Sequence, residues 1–326
     1  MNRFSALISL LLLVSCGRGQ FSSCPEADSA RWLETGDSLI VSISPFDGSR
    51  DTLVLDRPLR SIACMSSSFA AAFAEIGAAD CVCAVSGLRY MSNPYIRENA
   101  CELGSDASLD YEALLRLKPD LLLAYSVGAA QPLYINKVRS LGVKVLVLYD
   151  HLETTPLARA SYMRACGLIC GRREEADSVY AQVSASYAAL RDSVERRGGE
   201  PCPVLINSPY GDAWYVPGRD SYMYRLVEDA GGEILGAREG VSSSTISLEQ
   251  AFVLGRKAKI WLNPGSGELP GQISIEEKWD NTLRTTPQGG NDFWERGAVR
   301  PDLILSDLAA IFSGDSQAPM NFYLRK

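Results

Sequence analysis

Residues 172–197, RREEADSVYAQVSASYAALRDSVERR, form one uninterrupted amphipathic stretch with strand-and-helix patterning on both sides. Ala176, Val179, Tyr180, Val183, Tyr187, Leu190 and Val194 recur at three- and four-residue steps, the spacing of one helix face. The other face carries Glu175, Asp177, Gln182, Ser186, Arg191 and Glu195 and should meet water. Neither Pro nor Gly interrupts it, and Gly198 and Gly199 end it as a left-handed cap would. At about 1.5 Å per residue such a helix runs roughly 39 Å, the width of a small domain. It is either a surface helix of one domain or a stiff strut joining two lobes with a ligand cleft between them. A chain of 326 residues has room for two lobes.

Before the strut, residues 38–44 (SLIVSIS) and 51–56 (DTLVLD) alternate in the strand period and read as a hairpin. Strands follow at 60–65, 81–86, 120–124 (DLLLA) and 144–149 (KVLVLY), separated by helices at 67–76, 109–118 and 132–141. This run of β-α units implies a mostly parallel sheet, and DLLLA reads as a strand buried on both faces. Residues 156–170 read as one further helix leading into the strut. After the strut come strands at 203–207, 214–216 and 259–263 (KIWLN), with helices at 221–230, 247–256 and 300–312. Residues 264–300, rich in Gly, Pro, Asn and aromatics, give no clear elements, and neither does the tail 319–326.

The N-terminus has one positive charge and a short apolar run at 6–14, which fits a secretory signal and is too short to span a bilayer. Leu13, Val14, Ser15 and Cys16 then resemble a bacterial lipobox, in which the cysteine thiol takes the lipid. The reading is a signal peptide at 1–16, lipidation at Cys16, and a tether at 17–36. Several acyl chains on one cysteine would hold the chain on a membrane face, and the periplasmic side is favoured. The net charge of −7 argues against nucleic acid as a partner. The chain holds nine cysteines but no CxxC pair, hence no obvious zinc site or redox centre, and their spacing names no disulfide. His151 is the only histidine. It is either a bystander at a strand end or a haem ligand, a role that a tyrosine also fills in haem proteins.

LDYEAL at 109–114 with LKPDLLL at 117–123 resembles the first-lobe signature of the class III periplasmic binding proteins, the solute-binding subunits of ABC importers for ferric siderophores, haem and cobalamin. SLEQ at 247–250 followed by KIWL at 259–262 resembles the second-lobe signature, and AGG at 230–232 fits it. GGNDFWE at 289–295 running into RPDL at 300–303 resembles a Bacteroidetes-type branch. The likeness covers roughly residues 57–315. It implies an α/β fold of two doubly wound lobes, 37–171 and 198–326, joined by one long α-helix at 172–197, with the ligand cleft between them. It further implies a monomer, no enzymatic activity and no cofactor or resident metal. The family's metal-ion branch gathers several histidines, which this chain lacks. Two surface glutamates, one per lobe, pair with arginines of the ABC permease dimer in the inner membrane. They map to Glu112 and Glu249.

Loops following strands are where such a fold binds its ligand. On that basis the ligand-facing candidates are Ser67, Arg89, Tyr90 and Tyr125 in the first lobe. In the second they are Tyr210, Trp214, Tyr215, Arg284, Phe293 and Trp294, with Asn263, Ser266 and Asn291 nearby. Aromatic faces beside a few donors suit a large chelate, a ferric siderophore or a corrinoid. Arg89 and Arg284 would neutralise an anionic chelate or a propionate. Residues 66–68 either cap the helix they precede or bind an anion. A haem-binding protein, or a chelatase-like enzyme on the same scaffold, is the alternative.

Overall fold

The computed structural model describes residues 31–265, 275–315 and 317–326. The signal peptide, Cys16, the tether up to residue 30 and Ser266 lie outside them. The first described element is one the sequence reading missed. Strand β1 (Trp32–Thr35) occupies the end of the expected tether and pairs antiparallel with β2 (Leu39–Ile43), which pairs in turn with β3 (Arg50–Val54). Its side chains alternate, so Trp32 is buried. The Trp32 indole N–H donates to Ser161 and its ring tilts against Tyr162.

The first lobe is a five-stranded parallel sheet. Its elements are β4 (Ile62–Cys64), α1 (Ser67–Glu75), β5 (Val82–Val85), α2 (Pro94–Asn99), β6 (Cys101–Glu102), α3 (Tyr111–Leu117), β7 (Leu121–Tyr125), α4 (Leu133–Ser140) and β8 (Val145–Leu148). The strand order is β6-β5-β4-β7-β8, so the chain reverses direction across the sheet between β4 and β7. The period-two rule explains why these strands are apolar throughout. Ile62, Leu121, Leu123, Leu146 and Leu148 join the core on one face, and Ala63, Leu122, Ala124, Val145 and Val147 join the core on the other. The expected helix over 156–170 is divided into α5 (Pro156–Ala160) and α6 (Tyr162–Cys170). Ser161 lies at the break, where its hydroxyl donates back to the Ala158 carbonyl at 2.7 Å while accepting from Trp32.

The strut is α7 (Arg173–Arg197), 25 residues without a break. Its buried residues are Ala176, Tyr180, Val183 and Tyr187, with Val179, Leu190 and Val194 partly buried against the same core. The N-terminal half rests on the first lobe. Gly167 of α6 approaches so closely that a Cβ there would lie 2.3 Å from that of Ala176. The C-terminal half rests on the second lobe, where the Tyr187 hydroxyl donates to Asp229 at 2.6 Å and Val194 packs against Gly231.

The second lobe contains β9 (Cys202–Ile206), β10 (Pro209–Tyr210), β11 (Ala213–Val216), α8 (Tyr222–Asp229), β12 (Gly232–Ile234), β13 (Ser244–Ile246), α9 (Leu248–Gly255), β14 (Ile260–Leu262), β15 (Glu277–Asp280), α10 (Asp292–Glu295), α11 (Pro301–Ser313) and β16 (Leu324–Arg325). Its main sheet runs β12-β9-β14-β15-β16, parallel except for β16. The reversal here falls between β9 and β14. A small antiparallel sheet, β10-β11-β13, stands beside it. Two elements in the stretch that gave no sequence signal are thereby placed, β15 and α10. The tail is pinned by Asp307 in α11, whose carboxylate accepts from the backbone N–H of Asn321, Phe322 and Tyr323. The architecture is the expected pair of doubly wound α/β lobes joined by one long helix.

Candidate functional site

In doubly wound sheets the order reversal leaves a crevice at the carboxyl ends of the strands. In the first lobe that point lies beyond β4 and β7, at Met65, Ser66, Ser67 and Tyr125. A crevice of about 390 Å³ opens there, lined by those residues, by Ser86, Gly87, Tyr90 and Met91 beyond β5, and by Gly290, Asn291, Trp294 and Glu295 from the second lobe. Both lobes therefore contribute walls.

Local chemistry fixes each wall. Ser66 caps α1, its hydroxyl accepting from the Ser68 N–H at 3.4 Å and lying 2.8 Å from the Ser68 hydroxyl. The capping reading of that triplet is thus observed, and it leaves Ser67 on the crevice wall. Gly87 adopts φ 77°, which turns the chain after β5, and Glu102 accepts from the Gly87 and Leu88 N–H groups. Gly290 must be glycine, because a Cβ would sit 1.8 Å from the Tyr90 carbonyl of the other lobe. Glu295 fastens the same junction, accepting from the Ser92 N–H at 2.6 Å and the Asn93 N–H at 3.0 Å. Burial pushes the Glu295 carboxyl up despite those two hydrogen bonds.

Beneath Tyr125 lies a charged group. The His151 ring meets the Tyr125 ring edge-on with centroids 5.6 Å apart. The buried carboxylate of Asp150 lies 3.9 Å from the His151 imidazole and 3.5 Å from Arg159. Burial opposes its ionisation, but His151 and Arg159 outweigh that and hold it below the usual carboxylate range. The Arg159 guanidinium also faces the Tyr222 ring, which comes from the second lobe, at 5.0 Å. His151 Nε2 is buried and has no hydrogen-bond partner among the described residues. No group of three or more His, Cys, Asp or Glu among the described residues is placed to hold a metal ion.

Of the residues expected at the ligand, Ser67, Tyr90, Tyr125 and Trp294 are brought together around this crevice. Arg89 does not line it and touches it through Tyr90, its guanidinium 4.4 Å from the Tyr90 ring centroid and donating to the Tyr90 hydroxyl. Tyr210 and Tyr215 project from the β10–β11 hairpin, 80% and 46% exposed. Arg284 lies elsewhere, on a second crevice of about 270 Å³ shared with Glu75, Asp292 and Arg296, where its Nε donates to the Asn321 carbonyl. Two expectations are corrected. Trp214 is fully buried, its indole N–H donating to the Ile206 carbonyl at 2.7 Å and its ring set against Trp261. Phe293 is buried among Trp294, Phe322 and Tyr323. Strand alternation explains the first case, since Trp214 faces inward on β11 while its neighbour Tyr215 faces out. Sequence reasoning missed Ser86, Gly290, Glu295, Arg159 and Tyr222. Only the Gly289-Gly290 pair carried a signal, that of a close backbone approach.

Glu112 and Glu249 occupy equivalent places in the two lobes. Each is the second residue of its helix, immediately after a first residue that follows a side-chain cap, Asp110 on α3 and Ser247 on α9. Both are exposed, and neither makes an ion pair among the described residues. The Ser247 hydroxyl holds the Glu249 carboxyl below its ordinary range.

Comparison with known proteins gives three findings. A family model described as periplasmic binding protein matches residues 62–278. Among curated proteins, the chain is 28% identical over 208 residues to the vitamin B12-binding protein of Salmonella paratyphi A, covering 63% of this chain and 73% of that one. It is 21% identical over 220 residues to an uncharacterised lipoprotein of Methanocaldococcus jannaschii, covering 64% of this chain and 52%, about half, of that protein's length. Among solved structures, the periplasmic vitamin B12 binding protein of Vibrio cholerae superposes with a TM-score of 0.60 at 15% identity, covering 80% of this chain and 99% of that one. At that identity the likeness speaks for the fold alone.

Proposed function

Because this chain belongs to the periplasmic binding protein family, we propose that it is a lipid-anchored, monomeric solute-binding protein that delivers a corrinoid or ferric-siderophore-sized chelate to an ABC permease dimer. The observation that carries this reading is the crevice built from both lobes at the carboxyl ends of the parallel strands, with Tyr90, Tyr125 and Trp294 around it. Large planar or caged ligands are held by aromatic faces and a few fixed donors, and that is the chemistry of this wall. Ser67, Ser86 and Asn291 supply neutral hydrogen-bonding groups, and the nearest arginine named for the ligand, Arg89, lies against Tyr90 and not in the lining. A ligand edged with amides, as a corrinoid is, suits such a wall better than a highly anionic one. The 28% identity to a vitamin B12-binding protein supports the same choice.

In this reading no bond is made or broken; the protein binds, docks and releases. Cys16 carries the lipid on the periplasmic side of a membrane. Glu112 and Glu249 present one carboxylate per lobe to basic residues of the permease. Charge-assisted carboxylate–guanidinium contacts at two separated points fix orientation and speed encounter. Native mass spectrometry of the purified protein with cyanocobalamin, haem and a panel of ferric siderophores tests the ligand class. A one-to-one complex with cyanocobalamin supports the corrinoid reading; exclusive binding of a siderophore or haem overturns it. Turnover of a bound tetrapyrrole or chelate would instead indicate the chelatase-like enzyme.

One feature favours haem as the second reading. The unpartnered Nε2 of His151 lies behind Tyr125, and both side chains are of types that ligate haem iron. A Soret band that shifts in the His151→Ala or Tyr125→Phe variant would support it.

A further inference from the structure

We propose that the apolar groove beside Glu249 receives a bulky apolar side chain from the same permease segment whose basic residue pairs with that carboxylate. This rests on the docking reading above and adds a second component to it. The groove, about 430 Å³, is lined by Gly236, Ile246, Val253 and Leu254 together with Arg238, Glu249 and Gln250. Its floor depends on Gly236, where a Cβ would come within 2.8 Å of the Leu254 side chain. Val253, one helical turn beyond Glu249 on the same face of α9, is 59% exposed. An exposed, mainly aliphatic groove with a few charged and polar side chains beside it has the anatomy of a protein interface. A small-molecule pocket would aim buried polar groups inward instead.

The occupant is argued from charge and from the matching helix of the other lobe. Glu249 is exposed without an ion pair among the described residues, and the helix N-terminus and the Ser247 hydroxyl keep it ionised. The complementary segment therefore carries a cation, with its apolar side chain one turn away. On α3 the same pairing recurs, since Leu115, three residues after Glu112, is 43% exposed on the same face. Each lobe thus shows a carboxylate with an aliphatic side chain beside it, and the second lobe deepens that into a groove.

The test uses the full-length lipoprotein in its native cells, with photo-crosslinking p-benzoylphenylalanine placed at Val253 or, as a docking control, at Arg116 beside Glu112. Support is crosslinking of both positions to the membrane-spanning ABC permease. In addition, Val253→Asp should lower transport of cyanocobalamin at least 10-fold while its affinity for the purified protein stays within 2-fold. If Arg116 crosslinks to the permease but Val253 does not, and Val253→Asp transports normally, the groove inference fails and the docking reading stands. If neither position reaches the permease, both fail. Crosslinking of Val253 to a second copy of this chain overturns the inference in favour of self-association.

Discussion

Glu75 on α1 and Arg300 at the start of α11 meet at 2.8 Å, joining the first lobe to the second. Arg296 reaches the same carboxylate at 3.0 Å, and Arg300 is held from its other side by Asp302 at 2.7 Å. Burial alone would raise the Glu75 carboxyl, but the hydrogen bonds from Arg296 and Arg300 prevail and hold it below the usual range. Together with Glu295 and Gly290, this pair closes one side of the junction. Opening of the lobes must therefore break ion pairs as well as bend α7.

Replacing Glu75 with Gln should destabilise the fold by about 1.5–3 kcal/mol at neutral pH, because Arg296 loses its carboxylate partner and Arg300 is left with Asp302 alone in a partly shielded site. A carboxyl with a depressed pKa contributes its stability above the ordinary glutamate value, and that contribution is lost as pH falls through the lowered one. The gap between wild type and Glu75→Gln in thermal melts should thus be widest near pH 7 and close below about pH 4. A gap that stays constant down to pH 3 would contradict the assignment.

Tyr125→Ala and Trp294→Ala should each weaken cyanocobalamin binding about 10-fold, the effect of losing one aromatic face from a partly dry wall. Melting temperatures should change little for Trp294→Ala, which is 52% exposed. Isothermal titration checks this, and unchanged affinity in both variants would move the ligand away from this crevice.

Glu112→Ala combined with Glu249→Ala should abolish transport and leave ligand affinity nearly unchanged, since neither residue lines the cleft crevice. Uptake assays beside binding titrations decide it. Collapsed affinity with intact uptake would show the docking assignment to be wrong.

Cys16→Ala should release the protein from membranes into the soluble fraction. Retention of the variant in the lipid fraction would rule out the lipobox reading.

Trp214→Ala should act on stability instead of on ligand. Removing a fully buried indole costs about 3–5 kcal/mol, and the Ile206 carbonyl loses its donor as well. Tyr215→Ala, at the exposed position next in sequence, should cost far less. Equal losses in urea unfolding would refute the inward and outward assignment of the two rings.

The period of the apolar residues made the scaffold legible. The 3.6-residue stripe from Ala176 to Val194 fixed a long helix, though not whether it lay on one domain or joined two, and the doubly apolar DLLLA run fixed a strand buried on both faces. The site was legible only in part. Tyr90, Tyr125 and Trp294 follow strands or a Gly-rich turn, so their general place could be read. Trp214 and Phe293 have the same composition around them and are core. Which side an aromatic takes on a four-residue strand or a one-turn helix depends on packing partners far away in sequence.

The amino-acid order by itself determined runs of β-α units on both sides of one long uninterrupted helix, because these rest on local periodicity and local hydrogen bonding; the division into two lobes and the paired carboxylates Glu112 and Glu249 came from the resemblance to a known family. Only the tertiary structure decided that Glu295 would bond the backbone at Ser92 and Asn93, that Gly290 would press against Tyr90, and that Glu75 would face Arg296 and Arg300. Those contacts join residues about two hundred positions apart. Long-range pairs of this kind leave no spacing in the sequence, since it is the packing of two separate sheets against α7 that brings them within bonding distance.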